Sequence, residues 1–97
     1  MQMFIGSTYS NYLISGWPLH TGSGDRYFDT DVTFQAPFPA PPAVQVNLSV
    51  IDADAGPNLR VEGVATNVTN LGFKLRVHTW GDTKLYAVRA NWFAFIP

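Results

Sequence analysis

The chain has 97 residues, no cysteine, and a formal net charge of −1 with only 13% charged residues. That length supports one domain with a modest core. The missing cysteine excludes disulfide staples, thiolate zinc sites and cysteine nucleophiles, and the absence of any basic run excludes the electrostatic footprint of a nucleic-acid binder.

The opening MQMFIGSTYSNYLISGWP has no basic segment followed by an apolar one, so it does not read as a signal peptide. No later stretch is long and apolar enough for a membrane-crossing helix, so no membrane insertion is expected. The compartment stays open. A first strand is expected over residues 12–17. TGSGDR, residues 21–26, is rich in glycine but lacks the lysine and following helix of a phosphate loop. It reads as a flexible surface loop that brings backbone amides and the Asp25 carboxylate close to a small ligand. A second, weaker strand is centred on Val32. Pro37, Pro39, Pro41 and Pro42 then interrupt the chain, since proline cannot donate to a sheet ladder.

Four further runs alternate with period two. Val44, Val46, Leu48 and Val50 oppose Gln45, Asn47 and Ser49. The segment DADAG, from Asp52, resembles the start of a calcium loop. Gly63 stands at its twelfth position and no helix flanks it, so these aspartates read as turn formers. Leu59, Val61, Gly63 and Ala65 then oppose Arg60, Glu62 and Thr66, with Val64 the irregularity. Phe73, Leu75 and Val77 oppose Lys74, Arg76 and His78, and the turn Gly81-Asp82 follows. In the last run Tyr86, Val88, Ala90, Trp92 and Ala94 oppose Leu85, Ala87, Arg89, Asn91 and Phe93. Six short strands with polar connections predict an all-β sandwich or barrel in one domain, residues 1–97. The run Trp92-Phe93-Ala94-Phe95-Ile96 is apolar on both faces. Either the domain covers both sides or a second chain does, and an oligomer interface is the expectation.

Catalysis has little to stand on. His20 and His78 are far apart in sequence, and nothing positions a nucleophile beside either one. His78, on the polar side of its strand, reads as a solvated histidine, with a catalytic role the alternative. No cysteine, paired histidine or complete calcium loop is present, so no metal or cofactor is expected. Arg60, Trp80 and Tyr86 remain. An aromatic ring covers the C–H face of a sugar, a carboxylate accepts from its hydroxyls and a guanidinium donates to them. Core packing is the competing reading for both rings.

The stretch VTFQAPFPAPPAVQVNLSVID, followed by NLRVEGVATNVTNLGFKLRVHTWGDTKLYAVRANWFA, resembles the H-type lectin domain, the family of the snail agglutinins and of the discoidin C-terminal domain. The resemblance covers about residues 26–96. It implies a six-stranded antiparallel β-sandwich that assembles as a homotrimer or a multiple of one. It also implies non-catalytic binding of galactose- and N-acetylgalactosamine-type glycans at clefts between protomers. The family's arginine falls on Arg60, its loop tryptophan on Trp80 and its tyrosine on Tyr86. Gly24 and Asp25 take the positions of its glycine and aspartate, although an ungapped count from Phe34 puts Ser23 at the carboxylate position. Gly81 stands where the snail agglutinins carry a histidine that holds the acetamido group. Trp80 is expected to form an apolar wall shared with the loop around Asp25 of a neighbouring protomer. A structural trimerisation or adhesion module with the fold but no sugar site is the alternative.

Overall fold

Period-two alternation makes strands here and leaves no helix. The computed structural model describes all residues, Met1–Pro97. Six strands follow in chain order: β1 (Gln2–Asn11), β2 (Arg26–Thr33), β3 (Ala43–Ala53), β4 (Val61–Thr66), β5 (Gly72–Thr79) and β6 (Leu85–Ile96). They form two three-stranded sheets, β1-β6-β3 and β2-β5-β4, and every pairing is antiparallel. The all-β, six-stranded antiparallel sandwich is thus the fold of the chain.

The expected first strand over residues 12–17 is wrong. Those residues turn: Leu13 N donates to Asn11 Oδ1 at 3.0 Å, Ile14 N to Asn11 O at 3.1 Å and Trp17 N to Ile14 O at 3.1 Å. The strand lies earlier, where β1 pairs with β6 from Gln2 opposite Ile96 to Asn11 opposite Ala87. Its disguise has a physical cause. The face turned toward the core carries Phe4, Gly6, Thr8 and Ser10, while the apolar Met3, Ile5 and Tyr9 point out. The usual polarity of a sheet strand is inverted.

Between the sheets lies one core of Trp17, Leu19, Phe34, Phe38, Phe73, Leu75, Val77, Leu85, Val88, Ala90, Trp92 and Ala94. Phe34, Phe38, Phe73 and Trp92 interlock at one end with ring centroids 5.0–6.0 Å apart. Trp17 fills the other end beside Phe28, its indole N–H donating to Leu85 O at 2.9 Å. Two bulges in the β3–β6 ladder set the phase of β6. Ser49 is the extra residue on β3, and Tyr86 the extra residue on β6 between Leu85 and Ala87. The bulge corrects the simple alternation of the last run: Leu85 turns into the core and Tyr86 stays half-buried. Leu59, placed by alternation on the buried face of β4, lies before that strand and is exposed.

The two outer faces differ in chemistry. The outside of β2-β5-β4 is ionic, with Lys74 on Asp31 at 2.8 Å and Arg76 on Asp29 at 2.8 Å. The outside of β1-β6-β3 carries Met3, Ile5 and Tyr9 beside the stacked rings of Phe93 and Phe95. The doubly apolar end of β6 therefore divides: Trp92 and Ala94 enter the core, and Phe93 and Phe95 do not.

Candidate functional site

Thr79 closes β5 opposite both Arg26 of β2 and Val61 of β4. That register brings three connections to one end of the sandwich: residues 21–25 before β2, 58–60 before β4, and 80–84 after β5. Buried hydroxyls hold them. Thr79 Oγ1 donates to Arg60 O at 2.5 Å, Thr83 Oγ1 donates to Asn58 O at 2.5 Å, and Arg60 N donates to Thr83 Oγ1 at 3.1 Å. The Arg60 side chain is thereby set against Gly81, and its Nη1 donates to Asp82 Oδ1 at 3.0 Å. Gly81 has φ +68°, a conformation that costs other residues, and a Cβ there would lie 3.0 Å from Arg60 Nη1. Glycine at this position is what lets the guanidinium lie over the turn.

Gly81 also anchors the glycine-rich loop. Its carbonyl accepts from Gly24 N at 2.9 Å and from Arg26 Nη2 at 3.1 Å. Arg26 ties the loop to itself as well, Nε donating to Gly24 O at 3.0 Å and Nη1 to Thr21 O at 2.8 Å, while the Lys84 ammonium donates to Gly22 O. The loop expected to be flexible is fastened at four carbonyls, those of Thr21, Gly22, Gly24 and Gly81.

His78 is not free in solvent as expected. Its Nε2 lies 2.9 Å from Asp25 Oδ1, its Nδ1 lies 2.9 Å from Glu62 Oε1, and its ring stacks on Trp80 with centroids 5.2 Å apart. Hydrogen bonding first to Asp25 and then to Glu62 raises the imidazole pKa above its ordinary value, against a smaller opposing effect of burial. The three titratable groups point at one another rather than at a common centre, and the chain has no cluster arranged to hold a metal ion. Trp80 keeps 39% of its surface exposed, so the core does not claim it.

Gly24, Asp25, Arg60, Trp80 and Gly81 thus form one group within a single protomer. Within one protomer the Asp25 loop reaches Trp80 through His78. Ser23 is exposed and makes none of these bonds. Tyr86 stands apart. Its ring packs on Tyr12 and His20, with centroids 5.7 and 5.9 Å away, and Tyr12 and His20 also touch each other. A cleft of about 330 Å³ lined by Asp25, Tyr27, Glu62, Arg76 and His78 adjoins the group on the ionic face. Alternation did not single out Arg26, Glu62, His78 or Asp82 as the residues that hold this group in place. For His78 the signal was present, because residues two apart on a strand share a face and Trp80 follows at that spacing.

The profile of the H-type lectin domain matches residues 29–95. The chain belongs to the H-type lectin family. As an H-type lectin it is a carbohydrate-binding domain, and the family points to binding rather than catalysis. The sequence is 46% identical over 79 residues to an open-reading-frame product of the ATP synthase subunits region of Fuscovulum blasticum, covering 81% of this chain and 69% of that one. It is 38% identical over 77 residues to a discoidin-1 polypeptide of Dictyostelium discoideum, covering 78% of this chain and 30% of that one. The structure of discoidin II from the same organism superposes with a TM-score of 0.82 at 29% identity, over 96% of this chain and 36% of that one. The lectin domain therefore spans about a third of each discoidin. The Pseudomonas phage phi297 tailspike gp61 shares the fold at a TM-score of 0.61 and 17% identity, over 95% of this chain and 15% of that one.

Proposed function

We propose that this H-type lectin binds galactose-type sugars, N-acetylgalactosamine among them, at clefts between the protomers of a homotrimer or a multiple of one. The observation that carries the reading is the convergence of a guanidinium, a carboxylate and a half-exposed indole around the Gly81 turn. Arg60 offers N–H donors to sugar oxygens, Asp25 accepts from hydroxyls, and Trp80 covers an apolar sugar face. Backbone groups of Gly24 and Gly81 frame the turn. Tyr86 is the candidate that the protomer leaves outside this group, and a neighbouring copy bringing its own tyrosine alongside would complete the site at a cleft. The outer apolar face, with Met3 and Ile5 exposed and Phe93 and Phe95 half-buried beside them, supports such assembly. With Gly81 in place of a histidine, the site lacks a ring and a hydrogen-bonding group for an acetamido substituent. Galactose should therefore bind nearly as well as N-acetylgalactosamine.

One observation favours the alternative, a trimerisation or adhesion module without sugar binding. Arg60 and Asp25 each already have a partner inside the chain, Asp82 and His78. A glycan array probed with the purified protein, followed by calorimetry with galactose and N-acetylgalactosamine, separates the two. Binding of galactose-type glycans supports the lectin reading, and a blank array with an intact trimer supports the module.

A further inference from the structure

Of the histidines, His78 is the one whose surroundings exceed what packing needs. Its side chain is 24% exposed, yet both ring nitrogens have a carboxylate partner and one ring face carries an indole. The two partners come from different elements. Asp25 lies in the loop before β2, and Glu62 lies directly opposite on β4. The same ring thus touches two groups of the candidate sugar site, Trp80 and Asp25, and is held from behind by a residue outside it.

We propose that His78 is a positioning residue of the sugar site: through Nε2 it aims the Asp25 carboxylate, through its face it supports the Trp80 ring, and Glu62 anchors it through Nδ1. The inference rests on the galactose-type reading above. Its chemistry follows from the donor count of imidazole. The imidazolium donates from both nitrogens and holds both carboxylates at once, whereas neutral imidazole donates from one. On losing its proton the ring must release one carboxylate. Asp25, on a loop and with its side chain 83% exposed, is taken up by water more readily than Glu62, which is on β4 and 51% exposed. Deprotonation therefore frees Asp25 and weakens the support under Trp80.

The other groups around the ring do not replace this switch. Tyr27, opposite His78 on β2, lies under the Arg76 guanidinium at 3.9 Å. Arg76, two residues earlier on the same face, is committed to Asp29 through two hydrogen bonds. Arg60 pairs with Asp82. The pair of carboxylates thus remains the main influence on the ring, and it favours the protonated form. Because the folded pKa lies above the free imidazole value, the protonated and organised site is fully present below that free value and is lost as pH rises through the raised pKa.

The test measures galactose affinity by calorimetry from about pH 5 to about pH 9 on the intact oligomer, alongside the tryptophan fluorescence change on titration without sugar. The buried Trp17 and Trp92 are subtracted with a Trp80→Phe variant. The expected result is an affinity that falls about tenfold as His78 deprotonates, the scale of one charge-assisted hydrogen bond. A sugar-free fluorescence transition should occur at the same pH. Glu62→Gln, which leaves every proposed sugar contact in place, should shift both transitions to lower pH. His78→Gln and His78→Phe both remove the titrating ring nitrogens and should bind weakly and independently of pH; His78→Phe keeps an aromatic ring under Trp80 and so keeps the test open should His78→Gln not fold. Sugar binding with a flat profile, or an unshifted profile in Glu62→Gln, overturns the proposal alone. An absence of galactose-type binding at every pH removes the lectin reading and the proposal with it, even where the fluorescence transition survives.

Discussion

Arg60 and Gly81 explain each other. The arginine lies across a turn that only a residue tolerant of φ +68° and lacking a Cβ leaves open. Gly81→Ala should cost about 1–2 kcal/mol of stability from the left-handed backbone and push the guanidinium off the turn. The measurement is the melting temperature together with galactose affinity, and both should fall; affinity equal to the parent would separate Arg60 from the site. Arg60→Ala removes a charge-assisted donor that contributes about 1.5–3 kcal/mol. A single lectin site of about millimolar affinity has only about 4 kcal/mol in all, so monovalent binding should drop below detection while the oligomer persists. Trp80→Ala should weaken sugar binding far more than it lowers the melting temperature, because 39% of the residue is exposed. Unfolding of that variant would return the ring to the core. Avidity of several sites on one trimer would raise the effective affinity of the parent by roughly 10²–10⁴ on a dense glycan surface.

The outer face of β2-β5-β4 is a ladder of ion pairs whose members sit opposite each other in register: Asp31 with Lys74, Asp29 with Arg76, and Glu62 with His78. Cross-strand pairing of this kind ties the strands through their side chains. The two-pronged bond from Arg76 Nε and Nη2 to Asp29 holds that carboxyl below its usual pKa. A depressed folded pKa means that its stabilisation is complete above the free carboxylate value and is lost as pH falls through the folded one. Arg76→Gln should therefore be less stable than the parent at neutral pH, and the gap should close on acidification below about pH 4. Chemical denaturation at a series of pH values measures it, and a gap that persists in acid would show that the arginine acts by packing. His78 has the opposite sign. Its raised pKa adds stability that is whole below the free imidazole value and declines as pH climbs past the folded one.

For the molecule as a unit, assembly is the issue. One sheet presents charges to water and the other presents Met3, Ile5, Phe93 and Phe95. The proposed trimer would bury this face. Ile5 is 76% exposed, so Ile5→Lys leaves the core untouched. Burying an aliphatic side chain of this size contributes about 1.5–3 kcal/mol, and a desolvated ammonium costs more, so if the proposed trimer uses this face the variant should be monomeric at micromolar concentration where the parent is trimeric. Light scattering gives the mass, and an unchanged trimer would place the interface elsewhere. Loss of glycan binding together with the trimer, in a variant that stays folded, would locate the site between protomers.

Alternation was enough to locate β2 to β6, because most of the apolar set in those strands faces the core and period two is what a half-buried strand requires. It failed at β1, where the apolar set of Met3, Ile5 and Tyr9 faces outward and the strand is recognisable only from its pairing with β6. It failed again at Tyr86, since a bulge adds one residue to β6 without any local mark in the sequence. The site shows the same division. Arg60, Trp80 and the Gly24-Asp25 pair were legible as residue types suited to a sugar, in an order that resembles a known family. The sequence could not say that Asp25 and Trp80 meet through His78, 53 residues from the first of them. Nor could it say that Arg26 fastens the glycine loop to a carbonyl 55 residues away. Local chemistry determines strand periodicity and turn positions, because those depend on neighbours along the chain. Partners across the sheets depend on register, and register is decided only when two apolar faces close on one core.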